Sequence, residues 1–252
     1  MTLKLNTLEY GEDSDQPTLV IAHGLFGSAR NWGVLSKRLS MDRKVIAVDM
    51  RNHGTSPWAD ENDYAELASD LADVVTGPFD ILGHSMGGKA AMALALQAPG
   101  ELRRLIVADI APVVYSHDNT PLIDAMERLN LGPISTRRQA DQLLSQDIDD
   151  PAVRAFLLQS LDIAEKTWRL NLSALRDDMA KIIGFPDFSG DFVGRALFVY
   201  GGASDYVAPY MHPKIKAMFP QAEFAEIAGA GHWLHAEKPR EFEAEISTFL
   251  AH

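Results

Sequence analysis

The stretch that most constrains this chain is Phe79-Asp80-Ile81-Leu82-Gly83-His84-Ser85-Met86-Gly87, which runs on to Ala98 in residues that are nearly all Ala, Leu and Met. A short apolar run that breaks at a glycine and passes at once into an alanine-rich helical pattern reads as strand, tight turn and buried helix. Such a turn forces its central residue into a strained backbone conformation. It closes only if small residues flank that residue, as Gly83 and Gly87 do here. Ser85 then sits at a helix N-terminus, where free N–H groups and the helix dipole favour a developing anion. The pattern therefore presents a nucleophile and not merely a turn.

The rest of the chain fits the same architecture. Further strands are expected at Leu3 to Leu8 (a weak edge), Thr18 to Ala22, Val45 to Val48, Leu105 to Ala108, Leu197 to Tyr200 and Glu223 to Ala228. Their apolarity is mostly continuous, as in parallel strands covered on both faces. Helical stripes lie between them, at Asn31–Leu39, Tyr64–Val75, Pro213–Phe219 and Glu241–Leu250. The fold class is thus α/β, with a mostly parallel central sheet flanked by helices. From about Pro112 to Gly194 no strand is evident. Amphipathic helices are expected at Pro121–Leu129, Arg137–Leu144, Val153–Leu161 and Trp168–Ile183, too long and too patterned for a loop. The expected organisation is a core of residues 1–111 and 195–252, with residues 112–194 inserted as a helical lid over the strand C-termini, where ligands bind in open α/β sheets.

Bulk properties exclude several classes. The net charge of −12 leaves no basic surface to displace counterions, so nucleic acid is not an expected partner. There is no cysteine, which removes disulfides and thiolate metal sites. No apolar run reaches a membrane span and the N-terminus lacks a signal-peptide pattern, so the expectation is a cytoplasmic protein with no membrane partner. The sequence carries no signature of oligomeric state.

The elbow overlaps a second motif, since Gly83 to Lys89 matches the G-x-x-x-x-G-K of a phosphate loop. Ala90 stands where that motif needs Ser or Thr for magnesium. Lys89 reads instead as a solvated helix residue, and no nucleotide or other cofactor is expected.

A serine needs an imidazole to take its proton. His232, in Gly229-Ala230-Gly231-His232-Trp233 after the last strand, is the preferred base. His84 points away by alternation, His235 could cap the following helix, and His23 and His53 lie in loops. No histidine pair has metal-ligand spacing, so no metal is expected. Two aspartates could orient His232. Asp205 follows the penultimate strand and leads on position alone; Asp109 ends the strand before it. The oxyanion hole should use the N–H of Met86 and one from His23-Gly24-Leu25-Phe26-Gly27-Ser28, with Leu25 favoured and Phe26 next.

Together, His23-Gly24, Asp49 to Pro57, the elbow and Gly231-His232-Trp233 resemble the α/β-hydrolase-fold serine esterases over essentially the whole chain. His23 to Ser28, Arg51-Asn52-His53-Gly54 and Asp109-Ile110-Ala111-Pro112 look more narrowly like the small bacterial YbfF-type esterases and their mitochondrial relatives. That resemblance implies Asp109 as the acid, with Asp205 as the alternative, and Arg51 as a pin for loops near the site. The implied function is hydrolysis of a small-molecule carboxylic ester or thioester through an acyl-enzyme on Ser85. C–C bond hydrolases, perhydrolases and acyltransferases share this machinery, and a small-molecule receptor on the same fold is the non-enzymatic alternative. A dehalogenase or epoxide hydrolase would carry Asp at the position of Ser85.

Overall fold

The structure is a computed structural model and describes residues 2–251. Its strands are β1 (Asn6–Tyr10), β2 (Thr18–Ala22), β3 (Val45–Asp49), β4 (Phe79–His84), β5 (Leu102–Ala108), β6 (Leu161–Asp162), β7 (Thr167–Trp168), β8 (Arg195–Gly201) and β9 (Ala222–Ile227). Seven of them form one sheet in the order β1-β3-β2-β4-β5-β8-β9. Only β1 pairs antiparallel, at the edge against β3. The other neighbours are parallel, so their carboxyl ends share one side of the sheet.

The helices are α1 (Gly33–Leu39), α2 (Tyr64–Ala72), α3 (Met86–Gln97), α4 (Thr120–Arg128), α5 (Arg137–Leu144), α6 (Pro151–Leu157), α7 (Leu172–Asp177), α8 (Met179–Ile183), α9 (His212–Met218), α10 (Leu234–Glu237) and α11 (Pro239–Ala251). They cover both faces. Val20, Ile81 and Val107 pack with Leu67, Leu71 and Met92 on one side. Ile21, Leu82 and Ile106 pack with Trp32, Phe242 and Ile246 on the other. Every residue of β3 and β4 is buried, which is why those strands read as unbroken apolar runs.

Between β5 and β8 the chain leaves the sheet and forms α4 to α8. Here the structure departs from the sequence reading. A two-residue antiparallel pair, Leu161 with Trp168 and Asp162 with Thr167, interrupts the helices. The Asp162 carboxylate accepts from the N–H groups of Ala164 and Glu165, so a side chain satisfies donors that a helix would otherwise bond. Lys166 turns the chain at φ 55°, and the buried Trp168 donates from its indole to the Met126 carbonyl (3.0 Å). The expected helix from Trp168 to Ile183 is therefore two short helices that begin only at Leu172. Among the described residues no helix is long and apolar enough to cross a membrane.

Candidate active site

The turn after β4 closes as tightly as its glycines imply. A Cβ on Gly83 would collide with the backbone of Gly87, and a Cβ on Gly87 with the carbonyls of Ala22 and His23. Ser85 takes φ 53° and ψ −119°. Its N–H donates to the Ala108 carbonyl (3.0 Å), which fixes the turn to the end of β5. Phe26, Asn52 and Asp109 also have positive φ, at 64°, 65° and 51°. All four residues sit on turns at the carboxyl edge of the sheet. Strained backbone of this kind costs about 1–3 kcal/mol per residue and persists where surrounding structure enforces it, typically at functional sites.

Ser85 Oγ lies 3.1 Å from His232 Nε2, and His232 Nδ1 lies 2.7 Å from Asp109 Oδ2. The Asp109 carboxylate is fully buried and takes two further donors: Gly201 N–H on Oδ1 (2.9 Å) and the Ser204 hydroxyl on Oδ2 (2.5 Å). With N–H and O–H donors on both of its oxygens, the buried carboxylate is fixed in rotamer. It holds His232 with Nδ1 protonated, leaving Nε2 as an acceptor for the serine proton. Asp205 sits on the turn that follows Gly201 at the end of β8 and carries Ser204, but it is exposed. Its loop contributes to the site through neighbouring residues and not through its own carboxylate.

One of those neighbours carries no sequence motif. Tyr206 stacks on the His232 ring at 3.9 Å and 19°, and its hydroxyl meets His117 Nε2 at 2.7 Å. His84 does not point away from the site. Its Nε2 donates to the His232 carbonyl (2.8 Å), which fixes the backbone of that residue. Burial, aided by the neighbouring His235 and His232, holds His84 neutral, well below the usual histidine range. His235 stacks on Trp32 at 4.3 Å, and α10 has no side-chain cap.

The glycine loop after β2 is fastened by two more histidines. His23 Nδ1 donates to the Gly24 carbonyl (2.8 Å), and its Nε2 accepts from Met50 N–H (3.0 Å). His53 Nδ1 donates to the Arg51 carbonyl (2.8 Å), and its Nε2 accepts from Phe26 N–H (3.1 Å). Phe26 N–H is thus spent on His53, which removes it from the two oxyanion candidates of this loop. The N–H groups of Leu25 and Met86 have no hydrogen-bond partner among the described residues, and both residues line the cavity beside Ser85. Arg51 is buried, with Nε and Nη2 on Asp70 (2.6 and 2.9 Å) and Nη1 on the Glu61 carbonyl, so it ties this loop to α2.

Burial and the neighbouring His23 push His53 down to about 3. It is neutral in both folded and unfolded chains above its ordinary value of 6.5. Below that value the unfolded chain takes up a proton that the folded chain refuses, so stability is lost as pH falls from about 6.5 toward 3. His53→Gln keeps an acceptor for Phe26 and removes this pH dependence. Between pH 7 and pH 4, urea unfolding should show wild type losing roughly 3 kcal/mol more than the variant. Equal losses would mean that the folded protein protonates His53 freely.

A cavity of about 300 Å³ opens over Ser85. Leu25, Trp32, Tyr64 and Trp233 line it from the sheet side, and Leu122, Val153, Phe156 and Ile182 from the inserted helices. Lys89 lines it too, and it is only 1% exposed, contrary to its reading as a solvated residue. Its ammonium faces backbone carbonyls.

Comparison with known proteins agrees with this fold. Residues 19–245 match the model of the Alpha/beta hydrolase family. The chain is 39% identical over 254 residues to the mouse protein named sn-1-specific diacylglycerol lipase ABHD11, covering 95% of this chain and 82% of that one. It is 39% identical over 246 residues to Esterase YbfF of Escherichia coli K12, covering 95% of each. A solved structure titled "Marine microorganism esterase" superposes with a TM-score of 0.93 at 35% identity, over 98% of this chain and 100% of that one. The chain belongs to the alpha/beta hydrolase family.

Proposed function

We propose that this protein is a serine hydrolase that cleaves carboxylic esters or thioesters through an acyl-enzyme on Ser85. The observation that carries the reading is the unbroken line of contacts Ser85–His232–Asp109 at the mouth of an apolar cavity. His232 Nε2 takes the Ser85 proton as Oγ attacks the acyl carbonyl. The imidazolium that forms is stabilised by Asp109, and its proton then goes to the departing alcohol or thiol. The free N–H groups of Leu25 and Met86 are placed to hold the oxyanion of the tetrahedral intermediate. Water, activated by the same histidine, releases the acid. Inserted helices α4, α6 and α8 act as a lid whose apolar side chains receive the acyl group. Their composition favours a neutral acyl or aryl chain, and names of relatives such as esterase and diacylglycerol lipase support an ester substrate.

The test is initial rates on p-nitrophenyl esters of increasing acyl length and on the matching thioesters. The expected result is saturable turnover of at least one series. Tight binding of such compounds without turnover would support a receptor on this fold and overturn the enzymatic reading.

A further inference from the structure

Lys89 lies one helical turn beyond Ser85 on α3. Its Nζ donates to the carbonyls of Val113 (3.0 Å), Ile183 (2.9 Å) and Gly184 (2.6 Å). Val113 is where the chain leaves β5 for the inserted helices. Ile183 and Gly184 end α8, where the chain turns back toward β8. One side chain therefore ties both crossings of the insertion to the helix that follows the nucleophile. All three ammonium protons are used, so Lys89 offers no donor to a ligand. The ring of Tyr115 lies 4.7 Å from Nζ and that of Tyr64 5.8 Å. Both tyrosines reinforce the junction: Tyr115 N–H donates to the Ile183 carbonyl (3.0 Å) and the Tyr64 hydroxyl to the Ile182 carbonyl (2.6 Å).

An ammonium in this position is costly to bury. Its partners are carbonyls and tyrosine rings rather than carboxylates, and burial pulls it down to about 7. A leucine or methionine would fill the space without that penalty. Neither would satisfy carbonyls at the end of α8, which have no intrahelical partner. The charge is kept where it joins the outgoing and returning chain segments, and it does so in the wall of the cavity.

We propose that Lys89 is a positioning residue that latches both ends of the helical insertion over the cavity and so fixes the width of the acyl pocket, an inference that rests on the ester-hydrolase reading above. The triad contacts Ser85–His232–Asp109 do not pass through Lys89, so chemistry on a small acyl group needs little from it. A longer acyl chain needs the wall formed by Ile182, Ile183 and Tyr115.

The test is Lys89→Met, which is one atom shorter, stays unbranched and removes all three donors. The loss in kcat/KM should be roughly tenfold to a hundredfold greater for an octanoyl ester than for an acetyl ester, and should fall mainly on KM. Hydrogen exchange on the same proteins should be faster at Tyr115 and around Gly184 and unchanged in α11. That readout needs no ester turnover, so a failure of the hydrolase reading would be seen separately in wild type. If Lys89→Met does not fold, Lys89→Gln keeps two donors on a shorter stem and should show the same chain-length bias in weaker form. Unchanged exchange and unchanged acyl preference would overturn the proposal. So would an equal loss on acetyl and octanoyl esters, which is the mark of a general packing defect.

Discussion

Asp109→Asn is expected to lower kcat by about 10⁴, the loss seen when the aspartate of a well-studied triad is made neutral. Asp205→Asn should leave kcat within about twofold of wild type, as surface substitutions away from a site usually do. The argument rests on donors and acceptors. Asp109 accepts from His232 Nδ1, Gly201 N–H and the Ser204 hydroxyl, and it is fully buried. An asparagine there would present an amide N–H₂ to at least one of those donors. The histidine would then favour the tautomer with the proton on Nε2, which cannot accept from Ser85. KM should change little, because the carboxylate does not line the cavity. Steady-state kinetics of the two variants on one ester separates these outcomes. Near-normal turnover by Asp109→Asn with a large loss in Asp205→Asn would reverse the assignment.

That assignment also shows where sequence reading stops. The elbow was legible because each of its parts has a local cause: an apolar strand, glycines where any Cβ would collide, and a small-residue helix. The buried strands were legible because both faces are covered and the apolar pattern is continuous. The acid was not readable from position, because β5 and β8 are adjacent in the sheet and each is followed by a turn bearing an aspartate. Only three-dimensional contacts show that Gly201 at the end of β8 and Ser204 on the turn bearing Asp205 close around Asp109. Resemblance to the YbfF-type esterases pointed the same way, through the Asp109-Ile110-Ala111-Pro112 element.

Other features had no local signal. The β6–β7 pair depends on the Asp162 side chain competing with helical hydrogen bonds over two residues, against a helical pattern on either side. The role of His84 depends on a contact 148 residues away in sequence. Lys89 reads as a polar position on a helix, and its burial follows from the inserted segments crossing above it. One clue was available. A helix that is otherwise Gly, Ala, Leu and Met up to its last residue, Gln97, has no solvated face, so a lysine within it must find partners inside the protein.

The central claim is that Ser85 and His232 act as one unit on an ester, and the most direct measurement is a cycle of Ser85→Ala, His232→Ala and the double variant. Residues that share one proton transfer are strongly non-additive. In a well-studied serine hydrolase, removing either costs about as much as removing the whole set, roughly 10⁶ in kcat. Here the 3.1 Å contact between Ser85 Oγ and His232 Nε2 predicts the same behaviour. Each single variant and the double variant should fall to one common residual rate, with all three still folded by circular dichroism. A single variant that keeps wild-type turnover, or losses that multiply in the double variant, would contradict the account.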